Sequence, residues 1–521
     1  MAQNEYAQAQ TAQSRAWSAG EKYLFRTAFI FFIICCIPLN IEWYKTALGI
    51  NIFDLHYRDL YDIARFNPSF VRKWFDIKVD RWGFQAFIDW LFILGFALVA
   101  ATFWSVLDRG RKEYNQLYYW LRVIVRYRAA VGIIAFGFTK FFPTQMPYPS
   151  ESLLNNNFGD LTGHKIFWLS ISIVPWFQVF TGVAEILAGT LLFFRRTTFI
   201  GAALLVGTLG TIMVVNLAYD GGVHVYAGYF VLLGTFLMVY DFRNLYRLFI
   251  QEKFTVPVHY YPALDKPWQK YGRLVLKTAV IVIFLPVLFY YQGINFLYDP
   301  YKQPAVSGIR ELRGFYNVTE FKINGRELPY SPLDTVRWQE VIFEKWTSMS
   351  YKVNKPVSLD LSNGGGDPMR DIDRTFEVSG VAGGRRVFHY QADTVHHILY
   401  LRDKNTASIR GAKAAFEEGA GKQKQKPEDN WIPETSLRYI KDEATAIHPL
   451  AISDRRIKEY KRLGEEDYLR PKMKLQYSTQ DGNRVILTGY NEYNETLYIV
   501  LDKVDRKYAV SESSLSAGRY D

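Results

Sequence analysis

The chain has 521 residues, 49% of them hydrophobic and 17% aromatic, with a formal net charge of +11 and only two cysteines. That cysteine count excludes a disulfide-built scaffold; Cys35 and Cys36 are adjacent inside an apolar run and read as small packing residues, with a reactive redox pair as the alternative. A mean hydropathy of −0.08 averages two unlike parts, since residues 24–294 hold nearly every long apolar run and 295–521 read as a soluble domain.

In chain order, residues 1–20 form a polar tail without apolar period, expected to be disordered. Seven runs follow that are long enough to span a bilayer, which takes ~20 helical residues. They are 24–43, 84–107, 118–142, 166–194, 198–218, 222–240 and 272–294. No small-residue cleavage site follows the first, so it reads as an uncleaved anchor. Basic residues collect before run one, after run two, at Arg195 and Arg196, and between runs six and seven. This alternation explains the charge excess without nucleic acid and places the N-terminus inside and the C-terminus outside. The loop at 44–83 opposes that orientation with seven basic residues, although its amphipathic stretch PSFVRKWFDIKV suits a membrane interface.

The expected fold is a multi-pass α-helical membrane bundle followed by a soluble, mainly-β domain. It divides as a tail (1–20), two helices with a long outer loop (21–117), a four-helix unit (118–250), an inner loop with the seventh helix (251–294) and an outer domain (295–521). In that domain RTFEVSG, RRVFHYQA and HHILYLRDK alternate at period two, as do KMKLQYST, NRVILTGYN and ETLYIVLDK. The two groups resemble a weak three-strand repeat around a helical or irregular insertion at about 405–470, which includes a mobile GAGKQKQKPEDN loop. NGGGD at 363–367 lacks a strand–loop–helix context and reads as a turn.

The polar residues inside the apolar runs are the candidate site. Gln178, Gly182, Glu185 and Gly189 share one helix face, and the two glycines let another helix approach, so Glu185 is expected inside the bundle with a cationic partner. Counting depth along the third run favours Arg128, then Arg126, and puts Lys140 too far out to pair directly. A register clamp and a site that binds a polar head group or moves a proton both fit such a pair. A second group, Lys140, Gln145, Asn216, Tyr219, Asp220 and His224, gathers toward the outer surface beside Pro143 and Pro147. It reads either as a small-molecule or quinone-head pocket or as a wet helix end with Lys140 snorkelling. The sequence carries no haem-ligand pair, flavin fingerprint, iron–sulfur cysteines or metal spacing, so no cofactor is evident in it.

At these residues the chain resembles the DoxX family of bacterial membrane proteins. Arg128, Gly132, Gly137 and Lys140 in RAAVGIIAFGFTK match the family's opening helix. Gly182, Glu185 and Gly189 with the RRTTFIGA turn match its second, and NLAYDGGVHVYAG matches the later helices less specifically. The resemblance covers about 120–250. It implies a multi-pass protein of the bacterial cytoplasmic membrane, acting as a quinone-associated redox subunit or accessory of a membrane oxidoreductase. The alternative is a non-catalytic scaffold or assembly protein whose outer β-domain binds a partner. The expected partners are the bilayer, a quinone or lipid ligand and a protein; no catalytic residue is named.

Overall fold

The structure, a computed structural model, describes residues 16–75, 84–255, 259–300, 302–365, 370–407, 409 and 431–510. Two compact units emerge: a helical unit of residues 1–141 and 180–292, and a second unit of 142–179 and 293–521.

In the helical unit, α1 (Ala19–Cys36) starts at a capping box in which Ser18 and Glu21 satisfy each other's backbone N–H groups, at 2.6 and 3.1 Å. The first apolar run does not continue straight: Pro38 interrupts it, and Ile41–Leu48 is a separate helix bent by 52°. α2 (Ile88–Leu107) buries Ile93, Ala97 and Ala101 at four-residue spacing against α1, while Leu91, Phe92, Phe96 and Phe103 stay exposed. Small residues on one side and large apolar ones on the other give the helix one packed face and one exposed apolar face. α3 (Asn115–Phe141) is the most charged of the long helices. α4 (Pro175–Leu192) begins at Pro175, because the fourth run is split: Gly163–Ser172 is its own helix and ends before the proline. α5 (Thr198–Ala218) and α6 (His224–Phe249) form an antiparallel pair. α7 (Pro267–Val282) continues to Tyr298 through a wider π turn at Ile283–Val287 that contains Pro286, whose missing N–H cannot complete a regular turn.

Among the described residues five helices are long and apolar enough to cross a membrane, and six if the bent pair at Ala19–Leu48 is one span. This corrects the seven expected runs. The missing one is α3, whose Arg122, Arg126, Arg128 and Lys140 dilute its apolar character.

The second unit is built on nine strands: β1 (Gly314–Ile323), β2 (Arg326–Glu327), β3 (Glu340–Phe343), β4 (Ser348–Lys352), β5 (Arg385–Asp393), β6 (Ile398–Asp403), β7 (Lys472–Thr479), β8 (Arg484–Tyr490) and β9 (Thr496–Val504). Every pairing is antiparallel, and β9 returns to β1, so eight strands close into a barrel with β2 as a short hairpin arm. Period-two alternation fills the interior with Val341 and Phe343, Met349 and Tyr351, Phe388 and Tyr390, Leu399 and Leu401, Met473 and Leu475, Val485 and Leu487, and Leu497, Ile499 and Leu501. β1 keeps its inward phase only by a bulge between Val318 and Glu320, after which Phe321 resumes pointing inward.

Three expectations change here. RTFEVSG is not a strand but a turn-rich segment, so the three-strand repeat dissolves into a continuous meander. Its charged residues are held in buried ion pairs: Arg374 is wholly buried against Asp299 and Asp371, and Glu377 bonds Lys404 at 2.6 Å and the Trp346 indole. The connection at 142–179 packs with the barrel instead of the helices. Glu344 accepts the Glu151 and Ser152 N–H groups at 3.1 and 2.8 Å, and Leu161 bridges Val381. Residues 1–15, 76–79 of the amphipathic loop stretch, 366–367 of NGGGD and the GAGKQKQKPEDN loop lie outside the described residues; Asn363–Gly365 form part of a turn, with Gly364 at φ +66°.

Candidate functional site

Glycines bring α3 and α4 into backbone contact. A Cβ at Gly137 would meet Ile186 Cγ1 at 2.7 Å and the Gly182 carbonyl at 3.0 Å. One at Gly189 would meet Ile134 at 2.6 Å and the Ala130 carbonyl at 2.9 Å. These contacts fix an antiparallel register with Gly137 opposite Gly182 and Ala130 opposite Gly189, so Glu185 stands level with Ile134. Arg128 and Lys140 therefore lie at similar depth on either side of it, ~9 Å along the axis at 1.5 Å per residue.

Rotation about α3 decides between them. Residues Ala130, Ile134, Gly137 and Phe141 carry the face turned to α4, whereas Arg128, two positions before Ala130, lies roughly 200° round the helix. Lys140 is on the α4 side, and its Cβ leans back toward the N-terminus of α3, toward Glu185. The structure accordingly pairs Glu185 with Lys140, not with Arg128 or Arg126. The expected Arg–Glu partnership is corrected: depth alone was compared, and helix phase was left out. Glu185 is 1% exposed and its Oε1 accepts the Lys140 ammonium; its second oxygen, Oε2, is buried with no hydrogen-bond donor among the described residues.

Arg128 is buried in a different place. It donates to the Phe66 carbonyl and lies 3.9 Å from the Phe66 ring centroid, 5.3 Å from that of Tyr229 and 5.7 Å from that of Phe230. Gly132 is small because a Cβ there would meet the guanidinium at 2.5 Å and Phe230 at 2.6 Å. Aromatic faces, not a carboxylate, stabilise this cation. Cys35 and Cys36 are free thiols, and the Cys35 carbonyl accepts the Tyr229 hydroxyl at 2.9 Å. Arg126 reaches Thr198 Oγ1 at 3.4 Å, at the turn between α4 and α5.

The second expected group divides between the two units. Lys140 is committed to Glu185. Asn216 donates to the Ile212 carbonyl of its own helix at 2.8 Å, while Tyr219 and Asp220 are exposed at the α5–α6 turn, with Asp220 at φ 52°. His224 is buried, its ring 5.9 Å from Phe87. Gln145 and Gln178 belong to the second unit, where the buried Gln178 amide accepts the Met146 N–H at 3.1 Å and donates to its carbonyl at 3.4 Å.

Sequence reasoning missed two features. Gln292 is fully buried, and both its amide atoms lack a hydrogen-bond partner among the described residues; a glutamine inside an apolar run is the available signal. The β unit also holds a cavity of about 490 Å³, with His389, Gln391, Arg402, Arg370 and Glu443 among its walls. Burial and the surrounding Lys404, Arg402, Arg370 and Arg470 push the His389 imidazole well below the usual range and keep it neutral. Arg370 pairs with Asp373 at 2.9 Å and with Asp467 at 2.8 Å, and Arg470 pairs with the same two carboxylates. Folding alone brings these residues from β5, β6 and the insertion together. No group of three or more metal-type ligands occurs among the described residues.

Compared with known proteins, the chain matches no family model, no curated protein and no solved structure.

Proposed function

We propose that the chain is a DoxX-like integral membrane protein, a quinone-associated redox subunit or accessory, and that Glu185 is where the ligand head group is read. The bacterial cytoplasmic membrane is its proposed location, with the N-terminus inside and the β-domain outside, following the distribution of basic loops. One observation carries the reading: a buried carboxylate oxygen, Glu185 Oε2, has no donor among the described residues beside a lysine committed to the other oxygen. A buried acceptor without a donor costs ~1–3 kcal/mol, more when charged, and intramembrane ionisable groups are commonly functional. A lone acceptor selects a ligand that donates. The head group is therefore the reduced, hydroxyl-bearing quinol, whose O–H donates to Oε2 in a low-dielectric site. The aromatic side chains around Arg128 suit the same ligand class.

Equilibrium binding of a quinol analogue to the purified protein in lipid nanodiscs tests this. Glu185→Gln is expected to weaken binding at least tenfold while the quinone form binds weakly to both proteins. Equal quinol affinity in a folded Glu185→Gln protein, or no binding to the native one, sinks the reading.

The 490 Å³ cavity of the β unit favours a second reading, a scaffold whose outer domain holds a partner. In that case Glu185→Gln lowers the melting temperature and leaves quinol binding unmeasurable in both proteins.

A further inference from the structure

At the end of the helical unit where α4 turns into α5, three arginines converge on a small cavity. Arg122, Arg126 and Arg195 line it with Tyr119, Thr198 and Tyr261, around about 30 Å³ of free space. Three cations on one cavity repel one another, and such a cluster is ordinarily neutralised by carboxylates. Here no ion pair to any of the three is present among the described residues. His259, which also lines the cavity, pairs through Nε2 with Asp241 at 2.9 Å.

Aromatic rings hold these guanidiniums instead. Arg122 lies 3.6 Å from the Tyr240 ring centroid, and Arg195 lies 5.0 Å from that of Tyr261 and 5.6 Å from that of Tyr119. Ring faces stabilise the charge without using the N–H donors, which stay in the guanidinium plane. Arg126 is nine-tenths buried, and its Nε, like that of Arg122, has no hydrogen-bond acceptor among the described residues. Its one side-chain bond, to Thr198 Oγ1 at 3.4 Å, is long. Thr198 is also the first residue of α5, directly after the 3-10 turn Arg195–Thr197 that carries Arg195.

Buried donors without acceptors and uncompensated cations both ask for one thing, a multivalent oxyanion. We propose that this cavity is a phosphate site, which takes the phosphodiester of an anionic lipid head group or a free phosphate. Planar guanidiniums match phosphate oxygens two at a time, and basic pockets between membrane helices are suited to lipid phosphates. The site is separate from the Lys140–Glu185 pair, since Arg126 stands level with the α4–α5 turn while Glu185 stands level with Ile134.

The test uses the full-length protein in detergent, with native mass spectrometry to count retained lipid. Phosphatidylglycerol is compared with glycosyl diacylglycerol, which has the same tails and no phosphate. The native protein is expected to retain phosphatidylglycerol at least tenfold better. Arg126→Gln and Arg195→Gln are each expected to lose most of that preference, while Arg196→Gln, at an exposed neighbour, keeps it. Arg195 is only partly buried, so its variant reads out the site even where Arg126→Gln fails to fold. Inorganic phosphate added at constant ionic strength distinguishes the sources: displacement of the lipid assigns the site to free phosphate as well, and none assigns it to the lipid. Both results support a phosphate site. Equal retention of the two lipids, or unchanged preference in Arg195→Gln, overturns it.

Discussion

Lys165 sends its buried ammonium to the Phe376 carbonyl and lies 3.7 Å from the Phe376 ring centroid. Burial pushes its pKa down to about 7 against the opposing pull of Glu377, and burial also pushes Lys302 well below the usual lysine range. A lysine whose folded pKa is lowered binds fewer protons than the unfolded chain between about 7 and its normal value of 10.5. Stability therefore rises with pH through that window. Thermal unfolding of the β unit within the whole protein should occur several degrees higher at pH 9 than at pH 6.5. Lys165→Met, close in volume and uncharged, should raise the melting temperature at pH 6.5 and flatten the profile; an unchanged profile would contradict the assignment. The Lys140–Glu185 pair gives a second prediction at this scale. Removing one partner of a buried pair costs ~3–5 kcal/mol, so Lys140→Met should destabilise markedly, and Lys140→Met with Glu185→Gln less than the sum of the two. Additive losses in a double-mutant cycle would mean that the two groups do not interact. The glycine face of Glu185 was legible in the sequence because helical spacing is fixed; its partner was not, because depth without rotation cannot separate Arg128 from Lys140.

At the level of elements, α3 and α4 depend on glycines at their contact. Gly189→Leu would drive a side chain into Ile134 and the Ala130 carbonyl, and overpacking of this kind costs ~1–3 kcal/mol or more. Expression in membranes and thermal stability should both fall, whereas Gly207→Leu, where nothing lies within 4 Å of the Cβ position, should have little effect. Five of the six anticipated strand segments lie at β5 to β9, because their alternation is uninterrupted. β1 escaped notice because its bulge resets the period after Val318, and β3 and β4 because four or five residues give too short a pattern. RTFEVSG alternates in sequence yet folds as turns buried on all sides, with Arg374 and Glu377 in ion pairs that only the folded chain brings together. The fourth apolar run misled as one span because hydropathy does not register Pro175 as a break.

For the whole molecule, composition separates the helical and β units at about residue 295, but not the excursion at 142–179 that joins the β unit. Those residues carry no β pattern and find their partners, Glu344 and Arg385, far along the chain. The proposed orientation is open to labelling with a membrane-impermeant maleimide on intact cells. A cysteine at exposed Asn483 should react at once, and one at exposed Gly110 only after permeabilisation; the reverse pattern would invert the topology. The proposed function requires Glu185 to act on a ligand and not merely to clamp two helices. Infrared difference spectroscopy of the protein in nanodiscs, recorded with and without the quinol analogue, measures this directly. A ligand-induced shift of a carboxylate band that disappears in Glu185→Gln is the predicted result. Bound quinol with no carboxylate change, or the same change in Glu185→Gln, would contradict the account.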